Sequence, residues 1–224
     1  SGGDKKSATP AEDTATKMQP ATTAQAAPSN PMGPTDVMLI IHKVSNYAKW
    51  KPAYEAHDSA RLANGLHSYV IARGTEDSNM VLVAMRMDDL AKARAMAASP
   101  DLKEKMKKAG VVGAPTIDYL KAVMNDTSHI EQTVRVMVRH KVKDWDAWKK
   151  AFDSHKQARM DAGLIDRVIS YTADDNHNVT LVFAVSDMAK AKAFMNSQDL
   201  KDKMKEAGVE GPPSSFFYKI VQVY

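Results

Sequence analysis

The chain has 224 residues, 44% hydrophobic and 26% charged, so it is long and apolar enough to form one or two folded cores. The absence of cysteine excludes disulfides, thiolate metal sites and cysteine nucleophiles. Its net charge of +4 comes from 31 basic and 27 acidic residues, and no dense basic block with interleaved aromatic residues occurs. We therefore expect no nucleic-acid partner.

The N-terminal segment, 1–36, differs in composition from the rest of the chain. It is rich in Ala, Thr, Ser, Gln and Pro and contains no aromatic residue. Such a segment cannot bury enough apolar surface to fold, which predicts a disordered tether. Its first six residues, 1–6, resemble the start of a mature bacterial lipoprotein, which implies attachment to a membrane through an N-terminal lipid and a place in the cell envelope, periplasmic or on the surface. A cloning remnant joined to a disordered terminus is the alternative.

The rest of the chain consists of two tandem copies of one sequence unit. The sequence His42-Lys43-Val44 recurs 98 residues later as His140-Lys141-Val142. The same offset, without a gap, relates Trp50 to Trp148, His57 to His155, Arg61 to Arg159, Gly65 to Gly163 and Pro115 to Pro213. We expect repeat 1 over 37–124, a polar linker over 125–131 and repeat 2 over 132–224.

Each repeat predicts the order strand, helix, strand, strand, helix, strand. In repeat 1 the predicted elements are a strand over 37–44, a helix from Asn46 to Gly65, a hairpin of strands 66–73 and 80–87, a helix from 88 to 110 that restarts at Ser99, a Gly/Pro turn over 113–115 and a strand over 116–123. Repeat 2 predicts the same elements, with a hairpin turn over 174–177 and a last strand over 214–223.

This order is typical of the α+β, ferredoxin-like βαββαβ unit, in which two helices cover one face of a four-stranded antiparallel sheet. The other face is left bare. Two tandem units can cover each other's bare faces, so we predict an α+β barrel that closes within one chain.

Two runs carry a family resemblance: His-Lys-Val-x-Asp-Trp-x-x-Trp-Lys-x-x-Phe over 140–152, and the Asp-Leu-Lys to Gly-Pro-Pro segment over 199–213. They resemble the dimeric α+β barrel superfamily, and in particular its antibiotic biosynthesis monooxygenase type. The resemblance implies the fold and a pocket between sheet and helices. It also implies that an active member would be a cofactor-free oxygenase of polycyclic phenolic substrates, so we expect no cofactor.

The candidate site comes from two patterns that converge. Steps of three and four along the first helix place Trp50, Tyr54, His57 and Arg61 on one face, as they do Trp148, Phe152, His155 and Arg159 in repeat 2. Alternation along the first strand places His42 and His140 on the face that the helices cover. This predicts a ligand pocket in each repeat, with His57 and His155 as catalytic bases and the other residues binding the ligand. The alternative is a filled core with satisfied histidines and arginines that reach outward.

The remaining polar residues allow fewer roles. Two histidines per repeat could bind Cu²⁺ or Zn²⁺, but no His-x-His or His-x-x-x-His spacing occurs, so we predict no metal site. Arg135 and Arg139 lie on the opposite strand face and are expected to pair with acids such as Asp118 or Asp166, or to hold an anion.

Three functions follow from these patterns. The favoured one is a cell-envelope protein that binds a small aromatic or apolar molecule without chemistry. A cofactor-independent monooxygenase acting on phenols is the first alternative, and a structural or assembly module is the second. The sequence leaves open whether barrels associate further into homo-oligomers.

Overall fold

The structure is a computed structural model that describes residues 34–224. Most of the predicted tether, and with it the predicted lipid attachment, lies outside these residues. The first strand begins at Thr35, two residues before the predicted start of repeat 1. Within the described part of the chain, no helix is both long and apolar enough to cross a membrane.

Both repeats form the same eight elements. Repeat 1 consists of β1 (Thr35–Val44), α1 (Tyr47–Ala56), α2 (Asp58–Ala63), β2 (Leu66–Gly74), β3 (Met80–Met87), α3 (Leu90–Ala97), α4 (Pro100–Lys108) and β4 (Val111–Asn125). Repeat 2 consists of β5 (Val134–Val142), α5 (Trp145–Ser154), α6 (Lys156–Asp161), β6 (Leu164–Thr172), β7 (Asp175–Val185), α7 (Met188–Met195), α8 (Gln198–Glu206) and β8 (Val209–Val223).

The predicted helix starts are confirmed by their capping bonds. The side chain of Asn46 accepts the amide of Lys49 at 3.0 Å, which begins α1. Ser99 accepts the amide of Leu102 at 3.2 Å, and Pro100 follows at the first helical position. The second helical segment of the repeat is therefore two short helices, as the sequence predicted.

The first helix, by contrast, was wrongly predicted to continue to Gly65. It breaks at His57, and α5 breaks at the equivalent His155. At each break an arginine side chain donates to a main-chain carbonyl of the helix that has just ended: Arg61 to Tyr54 at 2.7 Å, and Arg159 to Phe152 at 2.6 Å. Each carbonyl also accepts the amide of the histidine at the break, His57 or His155, at 3.2 Å, so the arginine adds a second bond at the helix end.

Two strand boundaries were also wrong. The predicted Gly/Pro turns lie inside β4 and β8, which begin at Val111 and Val209 and pair with the ends of β1 and β5. A register shift in each ladder accommodates the extra residues, so the chain forms an irregular strand there and not a turn. The hairpin of repeat 2 is tighter than predicted, because β7 begins at Asp175.

The strands close into a barrel in the order β1-β3-β2-β8-β5-β7-β6-β4, with all pairs antiparallel. Two ladders join the repeats. Val70 of β2 faces Val223 of β8, and the residues 98 positions away, Val168 and Asn125, face each other between β6 and β4. Because the pairing is unchanged when the repeats are exchanged, an internal pseudo-two-fold axis relates them. The predicted intramolecular α+β barrel is confirmed.

The core has three parts. Met38, Ile40 and Val44 pack under the helices of repeat 1, while Leu39 points into the barrel. A matching layer lies under the helices of repeat 2. Inside the barrel, Arg139 pairs with Asp118 at 2.7 Å across the two repeats, as expected. Asp166 forms no ion pair with Arg135 or Arg139, because it pairs with Arg159.

Substituting the glycine that follows α5 and α6 tests how tightly the chain packs at this point. Gly163 has φ +74°, and a Cβ there would lie 2.9 Å from the amide nitrogen of Asp187. We expect Gly163→Ala to destabilise the protein by about 2 kcal/mol or more, measured by urea unfolding. Gly113→Ala is the matched control, because Gly113 has φ +72° but no atom within 4 Å of its Cβ position, so only the backbone cost of about 1 kcal/mol applies. Equal losses would contradict the role of crowding.

Candidate functional site

A cavity lies between the sheet and the helices in each repeat. The repeat 2 cavity has a volume of about 110 Å³, and the repeat 1 cavity about 70 Å³. All ten residues predicted from the sequence line them: His140, Trp148, Phe152, His155 and Arg159 in repeat 2, and His42, Trp50, Tyr54, His57 and Arg61 in repeat 1. The strand histidine and the helix histidine therefore meet at one cavity in each repeat.

The sequence reasoning missed the opposite wall. In repeat 2 this wall comes from α7 and α8 and includes Phe194, Met195, Leu200 and Met204. Leu200 and Met204 are four residues apart on α8, a spacing that places them on one face of the helix. That spacing was the available signal, but apolar residues at helical spacing indicate a core as readily as a cavity wall.

The ring nitrogens of the two strand histidines are buried without partners, although His140 as a whole residue is half-buried. Neither ring nitrogen of His42 or His140 has a hydrogen-bond partner within residues 34–224. Burial lowers the pKa of each from 6.5 to about 4, so both imidazoles are neutral at pH 7. Each ring packs against the tryptophan of its own repeat, with ring centroids 5.5 Å apart for Trp50 and 5.3 Å apart for Trp148. A buried polar group without a partner is unusual and calls for an explanation such as a ligand.

The helix histidines occupy a different environment. His57 and His155 lie at the breaks between paired helices and are half-buried. In the described part of the chain, neither ring forms a hydrogen bond, so no carboxylate or carbonyl fixes its orientation. Each ring can present a nitrogen to a molecule in its cavity. Their assignment as catalytic bases stays a prediction.

Arg159 is held by protein groups on every side. Its Nε and Nη2 donate to the two carboxylate oxygens of Asp166 at 2.9 and 2.8 Å. The guanidinium also lies over the ring of Phe152, 3.6 Å from its centroid. A bidentate pair of this kind neutralises the charge and fixes the side chain. Arg159, predicted to bind the ligand, therefore lines the cavity without a free charge to offer it.

In repeat 1 the equivalent arginine, Arg61, has different partners. Ser68 replaces Asp166, and it bonds the hydroxyl of Tyr54 at 2.6 Å. The Arg61 guanidinium stacks on the Tyr54 ring, 3.7 Å from its centroid. Its single carboxylate partner is the exposed Asp58, at 3.4 Å, and its Nε is buried without a partner in the described residues. The two cavities thus differ in the partners of their arginine and in volume.

The comparisons with known proteins agree with this architecture. No family model matches the sequence, and no curated protein matches it significantly. Among solved structures, a candidate monooxygenase from Fusobacterium nucleatum superposes with a TM-score of 0.56 at 9% identity, over 85% of this chain and 94% of that one. The chain has the fold of the monooxygenase-like α+β barrels.

Two further structures support the same fold. A candidate monooxygenase from Lactobacillus acidophilus gives a TM-score of 0.53 at 11% identity, over 84% of this chain and 95% of that one. An anthrone oxidase-like protein gives 0.56 at 14% identity, over 85% and 92%. At these identities the likeness establishes the fold alone. Function in this monooxygenase-like α+β barrel depends on its own residues.

Metal binding finds no support in those residues. Within residues 34–224, no three His, Cys, Asp or Glu side chains come close enough together to hold an ion. A protein zinc site needs at least three such ligands.

Proposed function

We propose that the repeat 2 cavity binds a small, uncharged ring compound that carries one hydroxyl or carbonyl group. The observation that carries the proposal is the half-buried His140, whose two ring nitrogens are buried without a partner within the described residues although the ring lines an apolar cavity. A buried unpartnered polar group costs about 1–3 kcal/mol. A ligand that bonds this imidazole would recover part of that cost.

The volume of the cavity limits the size of the ligand. A cavity of about 150 Å³ accommodates benzene. The repeat 2 cavity, at about 110 Å³, is smaller than this, so Met195 and Met204 in its wall must adjust their side chains to admit a ring. A polycyclic phenol is too large unless the helices move. The repeat 1 cavity, at about 70 Å³, is smaller still.

The charge of the cavity indicates an uncharged ligand. His140 is neutral at pH 7, so it offers one donor and one acceptor and no positive charge. Arg159 is already neutralised by Asp166. Lys203, which also lines the cavity, pairs with Asp199 at 2.9 Å. A carboxylate would therefore find both Arg159 and Lys203 already paired, whereas a phenol can donate its hydroxyl proton to a ring nitrogen.

The prediction is that phenol binds the protein, and that His140→Leu weakens this binding about tenfold because it removes one hydrogen bond. Isothermal titration calorimetry measures both affinities. The matched control is His42→Leu, the same change in the smaller cavity, which should leave phenol affinity unchanged. Benzoate should bind the wild type more weakly than phenol. Equal phenol affinity in the wild type and His140→Leu would contradict the proposal.

The first alternative is cofactor-independent oxygenation. It is favoured by the second imidazole, His155, which lines the same cavity and has no hydrogen-bond partner in the described residues, so it can accept a phenolic proton. Oxygen uptake by the protein with phenols and hydroquinones distinguishes the two functions. Uptake that His155→Gln abolishes would indicate an enzyme. Binding without uptake supports the binding function, and absence of both supports a structural module.

A further inference from the structure

A third cavity, also of about 110 Å³, lies inside the barrel where the two sheets face each other. It crosses the internal pseudo-two-fold axis, since residues 98 positions apart line it together. The two repeats contribute differently. Repeat 1 lines it mainly with apolar side chains, including Val37, Leu39 and Leu120, and repeat 2 supplies Arg135, Arg167 and Tyr218. The cavity is therefore apolar on one side and cationic on the other.

The equivalent positions show how this difference arises. Arg135 stands where repeat 1 has Val37, and Tyr218 stands where it has Leu120. Arg135 and Tyr218 are also directly paired neighbours on β5 and β8. Facing residues on adjacent antiparallel strands have Cβ atoms about 5 Å apart, so one small ligand group can contact both side chains.

The cationic side holds an excess of positive charge. Arg135 is 7% exposed and donates only to the main-chain carbonyls of Gln132 and Val134, the latter at 3.2 Å; no carboxylate in residues 34–224 pairs with it. Arg167, also 7% exposed, pairs with Asp126 at 3.2 Å. These three charged groups sum to one positive charge. Burial and the nearby Arg167 both lower the pKa of Arg135.

A hydrogen-bond donor stands next to this charge. Tyr218 is 4% exposed, and its hydroxyl has no partner in the described part of the chain. Burial raises the pKa of this phenol, so the hydroxyl stays protonated and able to donate. An anionic oxygen would give the buried arginine a counter-charge and the tyrosine hydroxyl an acceptor.

We infer that the barrel interior is a second ligand site, which binds a short-chain monocarboxylate. The carboxylate contacts Arg135 and Tyr218, and the hydrocarbon lies against the apolar wall of repeat 1. The volume suits a chain of about four carbons, since a cavity of about 150 Å³ already holds six. This site is independent of the cavity at His140, and its ligand is anionic, whereas the ligand of that cavity is uncharged.

Sodium butyrate is the probe, and calorimetry or the shift of the thermal midpoint measures its binding. We expect Arg135→Met to weaken butyrate binding about 10- to 100-fold, because a charge-assisted bond and the counter-charge are both lost. Arg135→Lys should retain part of the affinity. Butanol and butylamine, which match butyrate in length but not in charge, should bind much more weakly than butyrate.

Two further variants complete the experiment: one separates this site from the phenol site, and the other tests the site without removing the arginine. His140→Leu, which lies outside the barrel interior, should leave butyrate affinity unchanged while it weakens phenol binding, so either proposal can fail alone. Tyr218→Phe removes only the hydroxyl and should weaken butyrate binding about three- to tenfold, which serves as the test if Arg135→Met does not fold. Butyrate binding unchanged in Arg135→Met or in Tyr218→Phe, butanol binding as tight as butyrate, or no butyrate binding at millimolar concentration would each overturn the inference.

Discussion

Lowering the pH from 7.5 to 4.5 is expected to reduce the free energy of unfolding by about 5 kcal/mol through His42 and His140 alone. Each imidazole has a pKa of about 4 in the folded protein, against 6.5 as its ordinary value. Between these values the unfolded chain takes up protons that the folded chain does not. Acidification therefore favours unfolding, and the stability held above pH 6.5 is lost as the pH falls towards 4.

The physical cause is the burial of both rings against tryptophan without any acceptor for a second proton. Protonation would place a positive charge in an apolar layer under the helices. No carboxylate among the described residues bonds either ring to offset that charge. The folded state responds by keeping both imidazoles neutral until the pH is far below their ordinary pKa.

The measurement is urea unfolding at pH 7.5, 5.5 and 4.5 for the wild type and for His42→Leu/His140→Leu. Carboxylates common to both proteins contribute equally, so the difference between the two slopes isolates the histidines. Each single variant should remove about half of the difference, because the sites lie in separate layers. At pH 7.5 the double variant should be more stable than the wild type, since it replaces two unpartnered polar groups with apolar ones. An equal loss on acidification in both proteins would contradict the prediction.

Sequence reasoning located the candidate site because two independent periodicities met there. Alternation along β1 placed His42 among Met38, Ile40 and Val44, so the ring had to face the helices. Helical spacing placed Trp50 on the side facing the sheet. Both patterns hold over short distances along the chain, where the geometry of a strand or helix fixes the direction of each side chain.

What the sequence could not predict depends on contacts between distant segments. No Gly or Pro marks the helix break at His57. There the side chain of Arg61 folds back and donates to the main-chain carbonyl of Tyr54. The pairing of Arg159 with Asp166 likewise requires a helix and a strand to be packed first. The cationic side of the barrel interior emerges only when β5 and β8 place Arg135 beside Tyr218.

The second large effect is expected at the buried ion pair of repeat 2. Asp166→Asn should destabilise the protein by about 3 kcal/mol or more, because it leaves the guanidinium of Arg159 buried without its counter-charge. Their side chains are only 6% and 12% exposed, and both carboxylate oxygens are used. Urea unfolding at pH 7.5 measures the change.

Asp58→Asn in repeat 1 is the matched control. Asp58 is 53% exposed and lies 3.4 Å from Arg61, so its loss should cost less than about 1 kcal/mol. Equal losses in the two variants would contradict the prediction.

Repeat 1 also provides a rescue, because it holds its arginine without a carboxylate at the strand position. Asp166→Ser alone should be as damaging as Asp166→Asn. Adding Phe152→Tyr and Lys156→Asp would reproduce the tyrosine–serine bond and the helix carboxylate of repeat 1, which are formed there by Tyr54, Ser68 and Asp58. We expect the triple variant to recover at least about 1 kcal/mol of the loss. Recovery would show that the two repeats hold a buried guanidinium in two interchangeable ways, and no recovery would show that the surrounding layer of each repeat has adapted to its own solution.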